Sequence, residues 1–416
     1  MAKYIYPNIP SSLITKPPSE QLRLSICIPC YNEQDISSTI LSLLACQSIE
    51  GQVEVIILIN ESSEDKSSIT AQNLSSYEEC ERLYDACRVK GIALYPIIVS
   101  QITPKKAGVG YARRLSMDEA CRRFNTIENE RGIIVCLDAD SIVSSNYLVE
   151  LIRFFNPNQG LSACSIAFAH NLDIVQDEDI KNAICDYESH LRYFVNMQRL
   201  ISLPFAYQTV GSAMAVTAKS YQKHGGMNTR KAGEDFYFLH KFIKNDLVGE
   251  LNAACVYPSS RVSDRVPFGT GKAVGDIVGS LQSYKTYDPR SFAEIDKLVR
   301  SLPDIYTQGQ ASEFALSNFS DTLREYLISV NFKDKIVEIK SNTTDYVSFR
   351  KRFFQWFDAF RLMKCLHFMR DHYYSNIEVA DAMKTLFVKL DLSWKDNKYE
   401  NLITLRTYDN SYLNKN

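Results

Sequence analysis

The chain has 416 residues, enough for two domains or for one large domain with an appendage. Hydrophobic residues at 45% and charged residues at 23% are ordinary globular values, and a formal net charge of −2 argues against wholesale nucleic-acid binding. No run of about 18 apolar residues occurs, so no segment reads as a membrane span.

Residues 1–21, "MAKYIYPNIPSSLITKPPSEQ", lack an apolar signal core, and their prolines suggest an extended lead-in. From Leu22 the chain reads strand, loop, helix, repeated. "LRLSICIPCYNE" is a strand ending at Pro29, and "DISSTILSLLAC" follows with helical apolar spacing and a cap at Asp35 or Ser37. "VEVIILINESSEDKSS" is a second strand with a polar exit, followed by a helical stretch around Cys80–Cys87. "IALYPIIVS" is a third strand. "AGVGYARRLSMDEACRRF" opens on glycines and continues as a helix. "GIIVCLDADS" is a fourth strand, continuously apolar and therefore buried on both faces. Alternation of this kind predicts an α/β fold with a mostly parallel, doubly wound sheet.

After Phe155 the pattern loosens. "LSACSIAFAH" reads as a strand, Asp179 to Leu203 as mainly helix, Gly211 to Gly233 as a glycine-rich passage, and "GEDFYFLHKFI" as a helix. Strand-like "GELNAACVYPSSRVSDRVPFGTG" closes this region. Beyond Leu298 the chain turns helical and aromatic. Phe349, Phe353, Trp356, Phe360 and Met363 recur at steps of four and three, predicting one helix face. Arg350, Lys351, Arg352, Arg361 and Lys364 lie between them, so the stripe reads as a docked core face with a solvated basic side. A peripheral membrane contact is the second reading. The domains are drawn at 1–21, 22–297 and 298–416.

Eleven cysteines, an odd number, sit in apolar stretches such as Ile26-Cys27-Ile28. They read as reduced core residues of a cytoplasmic protein rather than a disulfide framework. Cys27 and Cys30 form a lone C-x-x-C without a second pair, which argues against zinc.

Asp138 and Asp140 stand where the fourth strand leaves the sheet, at the carboxyl edge where open α/β sheets gather ligands. Two carboxylates one residue apart can share a hard cation such as Mg²⁺ or Mn²⁺, which commonly bridges phosphates. An acidic turn is the bland alternative.

The order "IPCYNE", "LINESSEDKS", "KKAGVGYARRLSMDEA", "LDADS", then a Gly-Gly pair and "GEDFYF" resembles a family 2 glycosyltransferase of the GT-A fold, over roughly residues 22–270. The resemblance implies a Rossmann-like mostly parallel sheet flanked by helices, with the C-terminal helical region appended. It implies a metal-dependent inverting transferase that moves a sugar from a nucleotide-sugar donor, UDP- or GDP-linked, to a saccharide, lipid-linked or small-molecule acceptor. By this likeness Pro29, Tyr31, Asn32 and Glu33 hold the donor nucleoside. Asn60 and Glu61, with Ser63 and Asp65, match the family's D-D-G-S-x-D. Asn60 replaces its first aspartate and Ser62 its glycine. An amide both donates and accepts, so this departure leaves the base identity open.

Lys106, Gly110 and Arg113 correspond to the family's glycine and arginine before the third helix, where a cation meets the diphosphate. The resemblance gives Asp140 to the Mn²⁺ or Mg²⁺ ion, and Asp138 to the ribose or to that ion through water. The third ligand stays open among Asp264, a phosphate and water. Glu234 and Asp235 match the catalytic E-D pair, with the aspartate taking the acceptor's proton. Acidic residues at a helix start also favour the helix dipole, which is the structural alternative. Arg261 and Arg265 lie on a glycine-rich loop of the kind that closes over a donor.

Two rival readings follow from the same residues. "DADSI" imitates the D-x-D-x-T/V of haloacid-dehalogenase-type phosphatases, although three strands precede it here and "CYNE" then has no role. A non-catalytic glycosyltransferase-like binding protein is the other.

Overall fold

The computed structural model describes residues 12–156, 160–231, 233–262, 269–280, 284–307 and 316–412. They divide into two compact units. The first comprises 1–178, 209–275 and 409–416, and the second 179–208 and 276–408. The second unit thus begins earlier than the boundary at 297 drawn from the helical pattern, and it takes in a helix from the middle of the chain.

The first unit alternates β1 (Leu22–Cys30), α1 (Ile36–Leu44), β2 (Gln52–Ser62), α2 (Ser67–Val89), β3 (Ile92–Ile102), α3 (Val109–Thr126) and β4 (Ile133–Cys136). It continues with β5 (Ile142–Val143), α4 (Tyr147–Phe154) and β6 (Ala163–Phe168). The chain then passes through α5 (Glu178–Leu200), which belongs to the second unit, and returns to the first with β7 (Met214–Thr217), α6 (Ala218–Lys223), α7 (Glu234–Ile243), β8 (Val248–Tyr257) and the first half of α8 (Thr270–Ser280). The sheet order is β3-β2-β1-β4-β7-β6-β8-β5. Strands β3, β2, β1 and β4 run parallel, as their continuous apolar sequences predict. β7 lies antiparallel between β4 and β6. This strand falls in the glycine-rich passage, where four residues are too few to carry a periodic signal. The expected α/β architecture, a mostly parallel sheet flanked by helices, is the one observed.

Strand β1 runs one residue past its expected end. Pro29 is buried and pairs in register with Leu58. Asp35 caps α1 by accepting from the Ser38 amide at 3.1 Å, as expected.

A buried charge interrupts the apolar face of β2. Glu54 and Arg123 are both fully buried, and Arg123 Nε and Nη2 donate to the Glu54 carboxylate at 2.7 and 2.5 Å. Arg123 also donates to the Lys16 carbonyl at 2.8 Å, and its guanidinium lies 5.0 Å from the Tyr95 ring centre. The lead-in is held a turn earlier on α3, where the Leu13 and Ile14 amides donate to Glu119 at 3.2 and 3.3 Å. All eleven cysteines are free thiols, and all but Cys255 are buried.

The second unit groups α5 with α9 (Pro289–Arg300), α10 (Leu302–Thr307), α11 (Asp321–Ser329), α12 (Phe332–Ser341), α13 (Tyr346–Trp356), α14 (Ala359–His372), α15 (Val379–Lys389) and most of α16 (Lys398–Tyr412). A short antiparallel pair joins β9 (Lys285–Thr286) to β10 (Ile377–Glu378). Glu188 of α5 is fully buried and accepts from Arg192 Nε at 2.8 Å and from Arg406 Nη2 at 2.6 Å. That buried ion cluster explains why a mid-chain helix belongs with the C-terminal ones.

The aromatic stripe is not one helix face. Asp358 accepts from the Arg361 amide at 2.9 Å and starts a new helix, so α13 ends at Trp356. Phe349 and Phe353 are fully buried, Trp356 and Met363 are half-buried, and Phe360 is exposed. The core residues of α14 are instead Leu362, Cys365, Leu366 and Met369. Cations cover the outer rings, with Arg361 4.5 Å from the Trp356 centre and Lys364 4.7 Å from that of Phe360. Among the described residues no helix is long and apolar enough to cross a membrane.

Candidate active site

The exits of β1 and β2 are tied together through α2. Asn32 adopts a left-handed backbone (φ 49°), and its amide donates to Asn73 Oδ1 at 2.8 Å. Asn73 is fully buried and donates from Nδ2 to Glu61 Oε1 at 3.2 Å. The Glu33 carbonyl accepts from Gln72 Nε2 at 2.7 Å and from the Ser76 hydroxyl at 2.8 Å. The Tyr31 hydroxyl donates to Asp65 Oδ1 at 2.8 Å. Burial, then that carboxylate, pushes the Tyr31 pKa up to about 12. Asn60 and Glu61 are both buried at the end of β2. Loop and strand end therefore form one hydrogen-bonded wall. Its cross-link, Asn73, carries no sequence signal, since a polar residue on a mostly polar helix looks like a surface position.

The turn after β4 is clamped from two sides. The Ser141 amide donates to the Asp138 carbonyl at 3.1 Å, and Thr39 of α1 donates from its hydroxyl to the Ala139 carbonyl at 2.8 Å. Ala139 is buried, while the side chains of Asp138 and Asp140 keep 35% and 26% exposure. Both carboxylates thus present an open side at the carboxyl edge of the sheet.

Arg113, in the first turns of α3, joins that edge to α7. Its side chain is buried, with Nη2 donating to Asp138 Oδ1 and Nη1 to Glu234 Oε1. Burial works against the charge, but Asp138 and Glu234 outweigh it and hold the Arg113 pKa above its ordinary value. Two glycines make room. A Cβ on Gly211 would lie 2.3 Å from Arg113 Nη1, and one on Gly110 would lie 2.0 Å from the Arg230 carbonyl oxygen. Gly110 therefore serves close packing of α3 against the backbone of Arg230.

Asp235 follows Glu234 at the start of α7, beside the Arg113 cluster. It is half-buried, and its Oδ1 accepts from the Phe236 amide at 2.7 Å. Burial, then the neighbouring Glu234 charge, raises the Asp235 pKa from 3.8 to about 6. A carboxyl group that titrates near neutrality while partly open to solvent is suited to taking up a proton during a reaction. Glu234 is fully engaged, by Arg113 at its carboxylate and by Asn228 Nδ2 at its carbonyl at 2.9 Å.

Arg261 reaches back over the β1 exit. Its Nη2 donates to both carboxylate oxygens of the buried Glu33 at 2.7 Å and lies 3.7 Å from Asp140 Oδ2. Glu33 also accepts from the Gln34 and Asp35 amides at 2.8 and 2.9 Å, so its carboxylate is wholly taken by protein donors. Lys106 is exposed on the turn before α3. Arg265 and Asp264 lie outside the described residues.

The donor set bears on a divalent ion. Among the described residues no group of three His, Cys, Asp or Glu side chains is arranged to hold a metal. One face of Asp138 is taken by Arg113, which leaves a single open carboxylate edge and Asp140. Among the described residues that is too few ligands for an ion held by side chains alone. It fits Mg²⁺ or Mn²⁺ bound by one or two carboxylates, water and substrate phosphates.

Residues 25–214 match the family model described as Glycosyl transferase family 2. No curated protein matches the sequence. Among solved structures, Staphylococcus aureus TarS 1-349 in complex with UDP-GlcNAc aligns with a TM-score of 0.41 at 14% identity, covering 77% of this chain and 91% of that one. Glucosyl-3-phosphoglycerate synthase from Mycobacterium tuberculosis, in complex with Mn²⁺, UDP-glucose and phosphoglyceric acid, aligns with a TM-score of 0.36 at 15% identity, covering 64% and 84%. The matched segment runs from β1 through β4 to the first residue of β7 and contains Arg113, Asp138 and Asp140. The chain matches glycosyl transferase family 2 through residues 25–214, and it is a glycosyltransferase.

Proposed function

We propose that the chain is a metal-dependent, inverting transferase that moves a sugar from a nucleoside-diphosphate donor to an acceptor hydroxyl. The observation that carries this reading is the Arg113 bridge between Asp138 and Glu234. It holds the D-A-D turn and the start of α7 in one cluster, with Asp235 raised to about 6 beside it.

In this reading the β1–β2 wall, Pro29 to Glu33 with Asn60 and Glu61, receives the nucleoside, and Asp138 and Asp140 face the diphosphate. Asp138 and Asp140 would hold a Mg²⁺ or Mn²⁺ ion together with the diphosphate, and such an ion would offset the charge that develops on the leaving group. Arg113 is a positioning residue, because its buried guanidinium is spent on two carboxylates. Glu234 holds it in place. Asp235 accepts the proton of the acceptor hydroxyl as that oxygen bonds to the anomeric carbon. The bond from carbon to diphosphate breaks, and the nucleoside diphosphate leaves with the electron pair. One base and one displacement give inversion.

Arg261 and Lys106 are placed as donor contacts. Arg261 must exchange Glu33 or Asp140 for phosphate oxygens, which its 41% exposure permits. Eleven free cysteines support a reducing, cytoplasmic setting. The buried aromatics of α13 favour internal packing over membrane contact. The bond from Tyr31 to Asp65 and the link from Asn32 through Asn73 to Glu61 give the "CYNE" loop a role, which favours this reading over a phosphatase.

The test measures donor affinity and transfer rate on the same purified variants. Asp235→Asn is expected to lower transfer by ~10²–10⁴-fold with donor affinity kept. Asp140→Ala is expected to lose the Mn²⁺-dependent part of donor binding. Normal transfer by Asp235→Asn would remove it as the base and sink the mechanism. Hydrolysis of simple phosphate esters without sugar transfer would favour the phosphatase.

A further inference from the structure

Side-chain bonds pin the segment that leads into α7. Arg114 Nη1 donates to the Met227 carbonyl at 3.1 Å and Lys241 Nζ to the Gly226 carbonyl at 2.6 Å. Asn228 Oδ1 accepts from the Arg230 amide at 3.2 Å, and its Nδ2 donates to the Glu234 carbonyl at 2.9 Å. The segment so held carries Arg230 and Lys231, both exposed. The Arg230 guanidinium lies 4.0 Å from the Tyr237 ring centre, which fixes its plane. A second pair of cations approaches the first. Lys105 and Lys106 lie on the turn before α3, where the Lys106 and Ala107 amides donate to the Thr103 carbonyl at 2.8 and 3.0 Å. Gly108 follows, and a Cβ there would lie 3.3 Å from Lys231 Cγ, so its missing side chain lets the two basic segments close on each other. Among the described residues none of the four cations has an ion pair. Residues 103–110 and 225–233 contain no Asp or Glu. Helices α3 and α7 both begin here on glycines without a side-chain cap, so their N-terminal partial charges add to the same sign. Cations gathered without counter-charge repel one another, and an anion relieves them.

We propose that this basic patch binds an oxyanion carried by the acceptor, a phosphate ester or a carboxylate, so that the substrate receiving the sugar is a negatively charged molecule. The inference rests on the transferase reading, in which the acceptor hydroxyl sits at Asp235. A molecule bonded to Asp235 lies beside the residues that immediately precede it, and those are the ones that carry Arg230 and Lys231. Of the two carboxylates at the start of α7, Glu234 is spent on Arg113, and Asp235 alone does not offset four cations. The donor's diphosphate has its own place at Asp138 and Asp140, with Arg261 as the cation beside it. Lys106 is shared with that donor role, which leaves Lys105, Arg230 and Lys231 to the acceptor. A guanidinium meets an oxyanion through two parallel N–H bonds, and ammonium groups add point charge.

The full-length chain is titrated calorimetrically with glycerol phosphate, glycerate and glycerol, once alone and once saturated with Mn²⁺ and a nucleoside diphosphate, UDP or GDP. The expected result is saturable binding of at least one charged probe in both states and none of glycerol. The double variant Arg230→Gln/Lys231→Gln is expected to weaken that binding by about tenfold or more, with nucleotide affinity unchanged. Lys105→Gln/Lys231→Gln, which keeps the Arg230–Tyr237 stack, is expected to act in the same direction and keeps the test decisive should the first variant fold poorly. Four results overturn the proposal: no binding of either anion, an equal response to glycerol, loss of anion binding once nucleotide and Mn²⁺ occupy the donor site, or unchanged affinity in both variants. Failure of both nucleotides to bind counts against the transferase reading instead, and the titration of the free chain is read independently of it.

Discussion

Asp235 combines two properties that conflict energetically: it is partly withdrawn from water, and it stands beside another carboxylate. Its ionised form is therefore disfavoured in the fold, first by burial and then by Glu234, and its pKa rises from 3.8 to about 6. Two pH dependences follow. Transfer is expected to fall as pH drops through about 6, because the proposed base is then already protonated. Stability runs the other way. A carboxyl group with a raised folded-state pKa favours the fold while protonated, and this contribution is lost as pH rises from 3.8 through about 6. Asp235→Asn is therefore expected to melt higher than the parent at pH 7.5 and at the same temperature near pH 3. Thermal melts across that range check it, and an equal shift at every pH would contradict the assigned cause. Asp138, Asp140, Glu234 and Asp235 could be proposed from the sequence because their order along the chain, rather than either acidic pair alone, resembles a family pattern. Asn73, Thr39 and Gly211 were not, because each acts on a segment distant in sequence that only folding brings alongside.

Elements show a similar division. Long apolar runs identified β1 to β4 and their parallel pairing, since each strand carries its own burial pattern. The four-residue β7 and the two-residue β5 escaped, being short strands that exist because neighbours pair with them. The stripe from Phe349 to Met363 failed for a local reason. Its spacing is helical throughout, but Asp358 offers an N-cap in the middle, and the chain takes it. This split makes neighbouring aromatics unequal. Phe353→Ala, fully buried among Phe354, Trp356 and Phe357, is expected to destabilise by about 3–5 kcal/mol. Phe360→Ala, 39% exposed, is expected to change stability by less than about 0.5 kcal/mol. Urea unfolding of both variants tests the division, and similar losses would restore the single-face helix.

For the molecule as a whole, the sparse carboxylate set at the sheet edge implies that ion and donor bind together. A nucleoside diphosphate with Mn²⁺ is expected to stabilise the protein, by about 2.7 kcal/mol at 100 times its Kd, with each component alone giving much less. EDTA is expected to reverse the gain. Thermal shift with UDP and GDP measures this and reports the base preference that Asn60 leaves open; full stabilisation without metal would contradict the shared site. The sequence by itself determined the alternating α/β plan, the family likeness and the acidic pairs, because periodicity and residue chemistry are local properties carried wherever the chain goes. It did not determine that Arg113 joins Asp138 to Glu234, that Glu54 is neutralised by Arg123, or that α5 shares the core of the C-terminal helices. Those depend on which surfaces meet, and buried charges meet across 121, 69 and 218 residues of chain. Desolvation forces each such charge to find a partner, but only the assembled fold names it.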